Sequence, residues 1–398
     1  MISVEEARTR LLALAARPVP TETVPLRHAA GRVLARDGVA RLTQPPFPAS
    51  AMDGYAVRDA DHAPGQRLTV IGTSAAGHAF AGRVGPGQAV RIFTGAPVPD
   101  GASRVVLQED VTAEGPAITL GDRLEAAPHV RAAGQDFAAG DRVTAPRRLT
   151  PRDLGLLAAM NIAEVTLARR PVVAILPTGD ELVMPGETPG PDQIVASNLF
   201  ALAAMAEAAG AEARLLPIAR DTEASLMFGF GLAEGADVIL TIGGASVGDH
   251  DLVAPVSRAL GFDHAFWKIA MRPGKPLMAG RWQDRILLGL PGNPVSSIVC
   301  ARLFLLPLIA ALQGLPPGPD DSFPARLAAP VEGNGPRAHY MRARLEPVGP
   351  GEDLPCVRVA ERQDSALLSI LSQSDVLVIR APGAPEAGTG EVVRCMAL

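Results

Sequence analysis

The chain has 398 residues, 47% of them hydrophobic, which is more than one ordinary core can use, so two to four globular domains are expected. A formal net charge of −5 with no basic run speaks against duplex nucleic acid or an anionic membrane surface as a partner, and favours a small-molecule site. Cys300, Cys356 and Cys395 are too few and too scattered for a disulfide framework or a cysteine metal cluster, and this points to the cytoplasm.

The first residues lack the basic start and apolar core of an export signal, so no export is expected. Ser3 and Glu6 fit a capping box for an amphipathic helix reaching about Ala16, with Val4, Ala7 and Leu11 on one face and Pro18 beyond its end. From Thr43 the chain reads Gln44-Pro-Pro-Phe-Pro, a rigid extended approach to Asp53-Gly54-Tyr55. Asp-Gly is an ordinary hairpin signal. Tyr55, one of only two tyrosines, favours a binding loop instead.

Between Arg67 and Val143 short strands alternate with Gly, Pro and Asp turns, over 68–71, 89–93, 104–108 and 117–120, which reads as a small all-β domain. Thr94-Gly-Ala-Pro follows one of these strands, and Gly134-Gln-Asp136 lies near the end of the region. A helix is expected from Thr150 to Met160, with Pro151 at its first position. From Pro171 the pattern becomes strand, helix, strand, the signature of an α/β layer on a parallel sheet. Its strands fall at 172–176, 213–219, 237–242 and 285–290, with helices over 199–209, capped by Ser197 or Asn198, and over 295–312. That last run is the most apolar in the chain, but Arg302 and Pro307 interrupt it and no membrane span is expected. A Pro-Gly linker near 316–320 leads to a second β domain.

The stretch 237–294 concentrates the chemistry. Gly243, Gly244 and Gly248 let backbone N–H groups approach an oxyanion, and Ser246 adds a hydroxyl. Only two lysines occur in the chain, Lys268 and Lys275, and both fall in one loop with Arg272 between them. A rigid turn, Pro291-Gly-Asn-Pro294, follows the next strand. Ligands in open α/β sheets bind outside the carboxyl ends of the strands, where Glu181, Asp221, Asp249 and Asp251 supply carboxylates. Carboxylates beside phosphate-binding groups suggest Mg²⁺. Each could instead be a cap or a turn residue, Asp180 or Glu181 on a helix, Asp221 as an N-cap.

Six ordered motifs closely resemble the molybdopterin molybdenumtransferase (molybdenum insertase) family, which includes the E domain of gephyrin. They are Ser50-Ala-Met-Asp-Gly-Tyr-Ala, Thr94-Gly-Ala-Pro, Pro177-Thr-Gly-Asp-Glu-Leu, Gly243-Gly-Ala-Ser-Val-Gly, Met271-Arg-Pro-Gly-Lys-Pro and Leu290-Pro-Gly-Asn-Pro. The resemblance spans essentially the whole chain. It implies an elongated four-part homodimer: a connecting domain from 21–42 and 141–170, an inserted β domain at 43–140, a molybdopterin-binding α/β domain from 1–20 and 171–316, and a C-terminal β domain at 320–398. It implies insertion of molybdate into adenylylated molybdopterin with Mg²⁺, releasing AMP, downstream of a molybdopterin adenylyltransferase. By the same resemblance Asp53, Thr94 and Asp136 come from the β domain's side of a cleft shared between subunits. Glu181, Asp221, Asp251, Lys268, Arg272, Pro291 and Pro294 come from the α/β side, and Arg342 from the last domain. Glu181, Asp221 and Asp249 are the expected metal ligands. Arg272 stands where the family often has lysine, which keeps the charge but forks the donors. Two other readings compete, a molybdopterin adenylyltransferase-like enzyme and a non-catalytic scaffold of the gephyrin type.

Overall fold

The computed structural model describes residues 1–244, 252–316, 321–348 and 353–398. A six-stranded sheet lies at its centre, in the order Glu212–Leu215, Val172–Pro177, Val238–Ile242, Arg285–Leu290, Met278–Trp282, Asp263–Trp267. Val172–Pro177 and Val238–Ile242 are buried along their whole length, as strands covered on both faces must be. One face packs against the helices Val4–Leu14, Asn198–Ala208 and Pro294–Leu312, and the other against Glu223–Leu232 and Val253–Ala259.

The sheet departs from the expected parallel arrangement at one side. Four strands are parallel, but Met278–Trp282 pairs antiparallel with both Arg285–Leu290 and Asp263–Trp267. The hairpin turn is Gln283-Asp284, with Gln283 at φ 55°, and it lacks the glycine that marks such turns. The strand expected over 213–219 stops at Leu215, because Pro217 has no N–H to continue a ladder. The helix over 294–312 is irregular too. Its α-helical ends enclose a π turn at Ala301–Leu305, which absorbs the missing donor and the bulk of Pro307. By length and a mean hydropathy of 2.2 this helix could cross a bilayer, but 67% of that stretch is buried inside the fold, so it serves as a core helix.

Caps also differ from expectation. Ser3 accepts from the Glu6 N–H at 3.0 Å, but the Glu6 carboxylate turns to Arg10 at 2.6 Å, leaving half a capping box. The reciprocal box is at Thr150 and Asp153, opening the helix Pro151–Ala159.

Two β units flank this layer. Residues 43–140 contain a six-stranded sheet, in which Gly54 opens the strand Gly54–Val57 rather than a hairpin turn. A Cβ there would stand 1.9 Å from the Val106 carbonyl, so only glycine fits. Between this sheet and the central layer, Thr21–Pro25 and Val33–Leu34 join Arg147–Arg148 and Glu164–Ala168 in a four-stranded sheet. Past 321, five strands close into a barrel, because Ala338–Glu346 pairs with both Cys356–Val359 and Val376–Arg380. A sixth strand, Met271–Arg272, comes from the lysine loop and lies parallel to Ala338–Glu346.

His339 sits beside that junction, 7% exposed, and burial together with Arg272, Arg337 and Arg342 pushes its pKa from 6.5 to about 4. The unfolded chain therefore takes up this proton first, so stability falls as pH drops from 6.5 toward about 4. Denaturant unfolding at pH 7 and pH 5 is expected to show a shallower acid loss in His339→Gln than in the native chain.

Candidate active site

Three strand ends meet above the central sheet. Thr178, just past Val172–Pro177, donates its N–H at 2.9 Å and its hydroxyl at 3.2 Å to the carbonyl of Ile242. A Cβ on Gly243 would lie 2.8 Å from the Thr178 carbonyl, and its φ of 92° also favours glycine. The position of a Cβ on Gly292 is 3.7 Å from the Gly243 Cα, which brings the Pro291-Gly-Asn-Pro turn onto the glycine turn. Over this junction opens a cavity of about 630 Å³. Thr178, Ile242 and Gly244 line its floor, 194–199 one wall, and Pro291 to Pro294 with Ala366 and Leu368 of the barrel another.

Among the described candidates, Glu181, Gly244, Pro291 and Pro294 line the cavity. Glu181 owes its position to Gly179. A Cβ on Gly179 would fall 2.2 Å from Oε2 of Glu181, and its φ is 144°. Gly179→Ala is expected to cost about 1–3 kcal/mol of stability, read by denaturant unfolding. Turnover should fall by about tenfold or more as the carboxylate is displaced.

Asp221 is exposed at the neighbouring turn, its N–H donated to Asp180 Oδ1 at 3.1 Å. It is not a helix cap, since Thr222 caps Glu223–Leu232. Among the described residues no three His, Cys, Asp or Glu side chains form a metal-binding group. Ser246, Gly248, Asp249 and Asp251 lie outside the described residues.

Lys268, Arg272 and Lys275 do not line the cavity, but Pro276, next to Lys275, does. Their loop is stapled shut. The Ile269 N–H meets the Lys275 carbonyl at 2.9 Å and the Lys268 N–H meets that of Leu277 at 3.1 Å. Lys268 has φ 68°, a conformation uncommon for a lysine.

Asp53 and Thr94 are brought together, away from the cavity. Asp53 Oδ1 accepts from the Thr94 N–H at 2.7 Å and hydroxyl at 2.8 Å, and these bonds hold its carboxyl below the usual range. Arg91, lying over the Tyr55 and Phe93 rings, donates to the Gly54 carbonyl and so braces both sides of this pair. Asp136 is exposed, its N–H on the Gln44 carbonyl at 3.1 Å, tied to the proline-rich approach.

Arg342 departs from the expected anion contact. It is 1% exposed and spends its guanidinium on the carbonyls of Leu367 and Arg362. In this chain it shapes the 362–368 segment that reaches the cavity, where Ser365 meets Asn293 at 3.0 Å. Asn198, expected as a helix cap, instead donates to the Gly292 carbonyl at 2.6 Å and to Ser297 at 3.2 Å, fixing the proline turn. Nothing in local sequence distinguishes that role from a cap.

Ligand-binding α/β proteins place their sites outside the carboxyl ends of parallel strands, and the sheet and its cavity assign this chain to that class. Three family profiles match in succession: the MoeA N-terminal region (domain I and II) over residues 2–161, a probable molybdopterin binding domain over 174–311, and the MoeA C-terminal region (domain IV) over 324–398. The molybdopterin molybdenumtransferase of Haemophilus influenzae is 39% identical over 317 residues, 79% of this chain and 78% of that protein. That of Synechococcus elongatus is 33% identical over 100% of both chains. A solved molybdopterin biosynthesis MoeA protein from Pyrococcus horikoshii superposes with a TM-score of 0.84 at 27% identity, over 100% of each chain. The chain belongs to the molybdopterin molybdenumtransferase family and is an enzyme, a transferase of molybdenum cofactor biosynthesis.

Proposed function

We propose that this enzyme inserts molybdate into adenylylated molybdopterin, with Mg²⁺, and releases AMP and the molybdenum cofactor. The observation that carries this is the composite cavity. Its floor and proline turn belong to the α/β layer, while Ala366 and Leu368 come from the barrel, which an α/β adenylyltransferase would not need. The cavity's apolar walls suit a flat ring system, and Glu181 at its edge with the lysine loop adjoining it through Pro276 suits a charged link and an oxyanion.

Mg²⁺ needs only one or two protein carboxylates, since it keeps several waters, so Glu181 and Asp221 on their adjoining turns are the described residues that would hold it. When bound, the cation would neutralise and polarise the phosphoanhydride. The chain's own residues orient the rest. Gly243 and Gly244 allow the pterin-bearing substrate close to the backbone, Pro291 and Pro294 hold it rigidly, and Lys268, Arg272 and Lys275 neutralise molybdate. No side-chain nucleophile is required, because anhydride opening depends on positioning and charge neutralisation.

We place the enzyme in the cytoplasm as a homodimer fed by a molybdopterin adenylyltransferase. No residue of 43–140 lines the cavity among those described, so Asp53, Thr94 and Asp136 would serve the partner subunit's cleft. The test is incubation with adenylylated molybdopterin, Mg²⁺ and molybdate or tungstate. AMP release dependent on an oxyanion supports the reading, and none with either oxyanion refutes it.

The lysines give a separate check. Lys268→Ala with Lys275→Ala is expected to weaken molybdate binding by about tenfold or more, because charged donors to a dianion are lost. Their loop position should leave stability within about 0.5 kcal/mol of the native chain. Calorimetric titration of molybdate into the folded variant measures the first, and denaturant unfolding the second.

A further inference from the structure

Arg220 lies one residue before Asp221 and does not line the cavity. Its guanidinium Nη1 donates to the carbonyls of Gly179, Asp180 and Leu182 at 3.3, 3.0 and 3.1 Å. Two of those carbonyls bracket Glu181 on either side. The backbone around Arg220 is fixed in turn. Its own N–H meets Ser225 Oγ at 2.9 Å, the Asp221 N–H meets Asp180 Oδ1 at 3.1 Å, and the Gly179 N–H meets the Ala219 carbonyl at 3.0 Å.

Two turns, each carrying one exposed candidate carboxylate, are thus tied by one cation, one backbone bond and one bond from a backbone N–H to the Asp180 carboxylate. Turns of this kind otherwise drift independently, since neither packs its carboxylate into the core. Carbonyls converging without a donor would also repel one another.

We propose that Arg220 is a positioning residue for the reaction. It clamps the 179–182 turn to the 219–221 turn and thereby sets the separation of Glu181 and Asp221 for the cation they share. This rests on the assignment of those carboxylates made above. Because Nη1 alone makes the three contacts, a lysine ammonium should reproduce part of the clamp, whereas methionine, of similar length and uncharged, should reproduce none.

The experiment compares full-length Arg220→Met, Arg220→Lys and Glu181→Gln with the native chain. Mn²⁺ alone serves as a binding probe, read by electron paramagnetic resonance, and AMP release is followed against Mg²⁺ concentration. Arg220→Met is expected to weaken Mn²⁺ binding and raise the half-saturating Mg²⁺ concentration about tenfold, as loss of a residue behind a metal ligand typically does. At saturating Mg²⁺ its kcat should return to within about twofold of native, with KM for adenylylated molybdopterin unchanged, while Arg220→Lys falls between.

Native Mn²⁺ affinity in Arg220→Met, alongside lost affinity in Glu181→Gln, overturns the clamp but leaves the carboxylate assignment standing. Native affinity in Glu181→Gln overturns the assignment and the clamp with it. If Arg220→Met melts early, Arg220→Lys decides. Affinity between native and Glu181→Gln supports the clamp, and affinity equal to Glu181→Gln overturns it.

Discussion

Glu181→Gln and Asp221→Asn are each expected to lower AMP release by on the order of a hundredfold while adenylylated molybdopterin still binds. Both substitutions keep the shape of the side chain and remove its charge. Glu181 Oε2 lies against Gly179 at the edge of the cavity, so the amide can occupy the same place without disturbing the floor of Thr178 and Ile242. Neither residue carries a cap, since Thr222 opens the neighbouring helix, so the fold should not suffer. The loss would then sit in kcat rather than KM. Single-turnover AMP release and equilibrium binding of the adenylylated substrate separate the two, and equal losses in both would mean that these carboxylates hold substrate. Excess chelator should reproduce the kcat loss in the native enzyme. Full turnover with chelator present would remove Mg²⁺ from the reaction.

The second large effect concerns mixtures. Asp53→Ala removes the acceptor that Thr94 holds at 2.7 and 2.8 Å, and Asp221→Ala removes a carboxylate on the α/β side. Each variant alone is expected to be inactive. If each cleft of a two-fold dimer takes Asp53 from one subunit and Asp221 from the other, a mixed dimer collects both lesions in one cleft and leaves the other intact. Half of randomly reassorted dimers are mixed, with one good cleft of two, so about a quarter of native activity should return. Co-refolded mixtures assayed for AMP release, with dimers confirmed by sedimentation, provide the measurement. An inactive mixture would show that each chain completes its own site.

Much of this architecture is legible from residues alone. Val238–Ile242 and Arg285–Leu290 announce themselves as buried strands through runs of β-branched and leucine residues, and both end in rigid glycine or proline turns. What stays hidden is settled by contacts distant in sequence. Met278–Trp282 has no alternation and no turn glycine, and it becomes a strand because two neighbours pair with it. The helix Glu223–Leu232 contains Gly229 and Gly231, which obscure its period. Gly229 is small because a Cβ there would meet the Leu176 side chain at 2.7 Å. At the site, Glu181 and the Pro291–Pro294 turn follow directly from strand ends. Arg342 does not, since a buried and an anion-binding arginine look alike in sequence. Arg220 is equally silent there, because its acceptors are backbone carbonyls of a turn some forty residues earlier.

The lysine loop is sewn both to the start of the polypeptide and to the barrel. Ala270 donates its N–H to the carbonyl of Ile2 at 2.8 Å, while Met271–Arg272 completes a ladder with Ala338 and His339 of the barrel. On the ribosome, therefore, the lysine loop has its first tether waiting from the start of synthesis but cannot gain its second until the barrel strand has emerged. Closing so long a loop is entropically late. A chain that stops before the barrel would carry both lysines and yet lack the ladder that holds Met271–Arg272 between them.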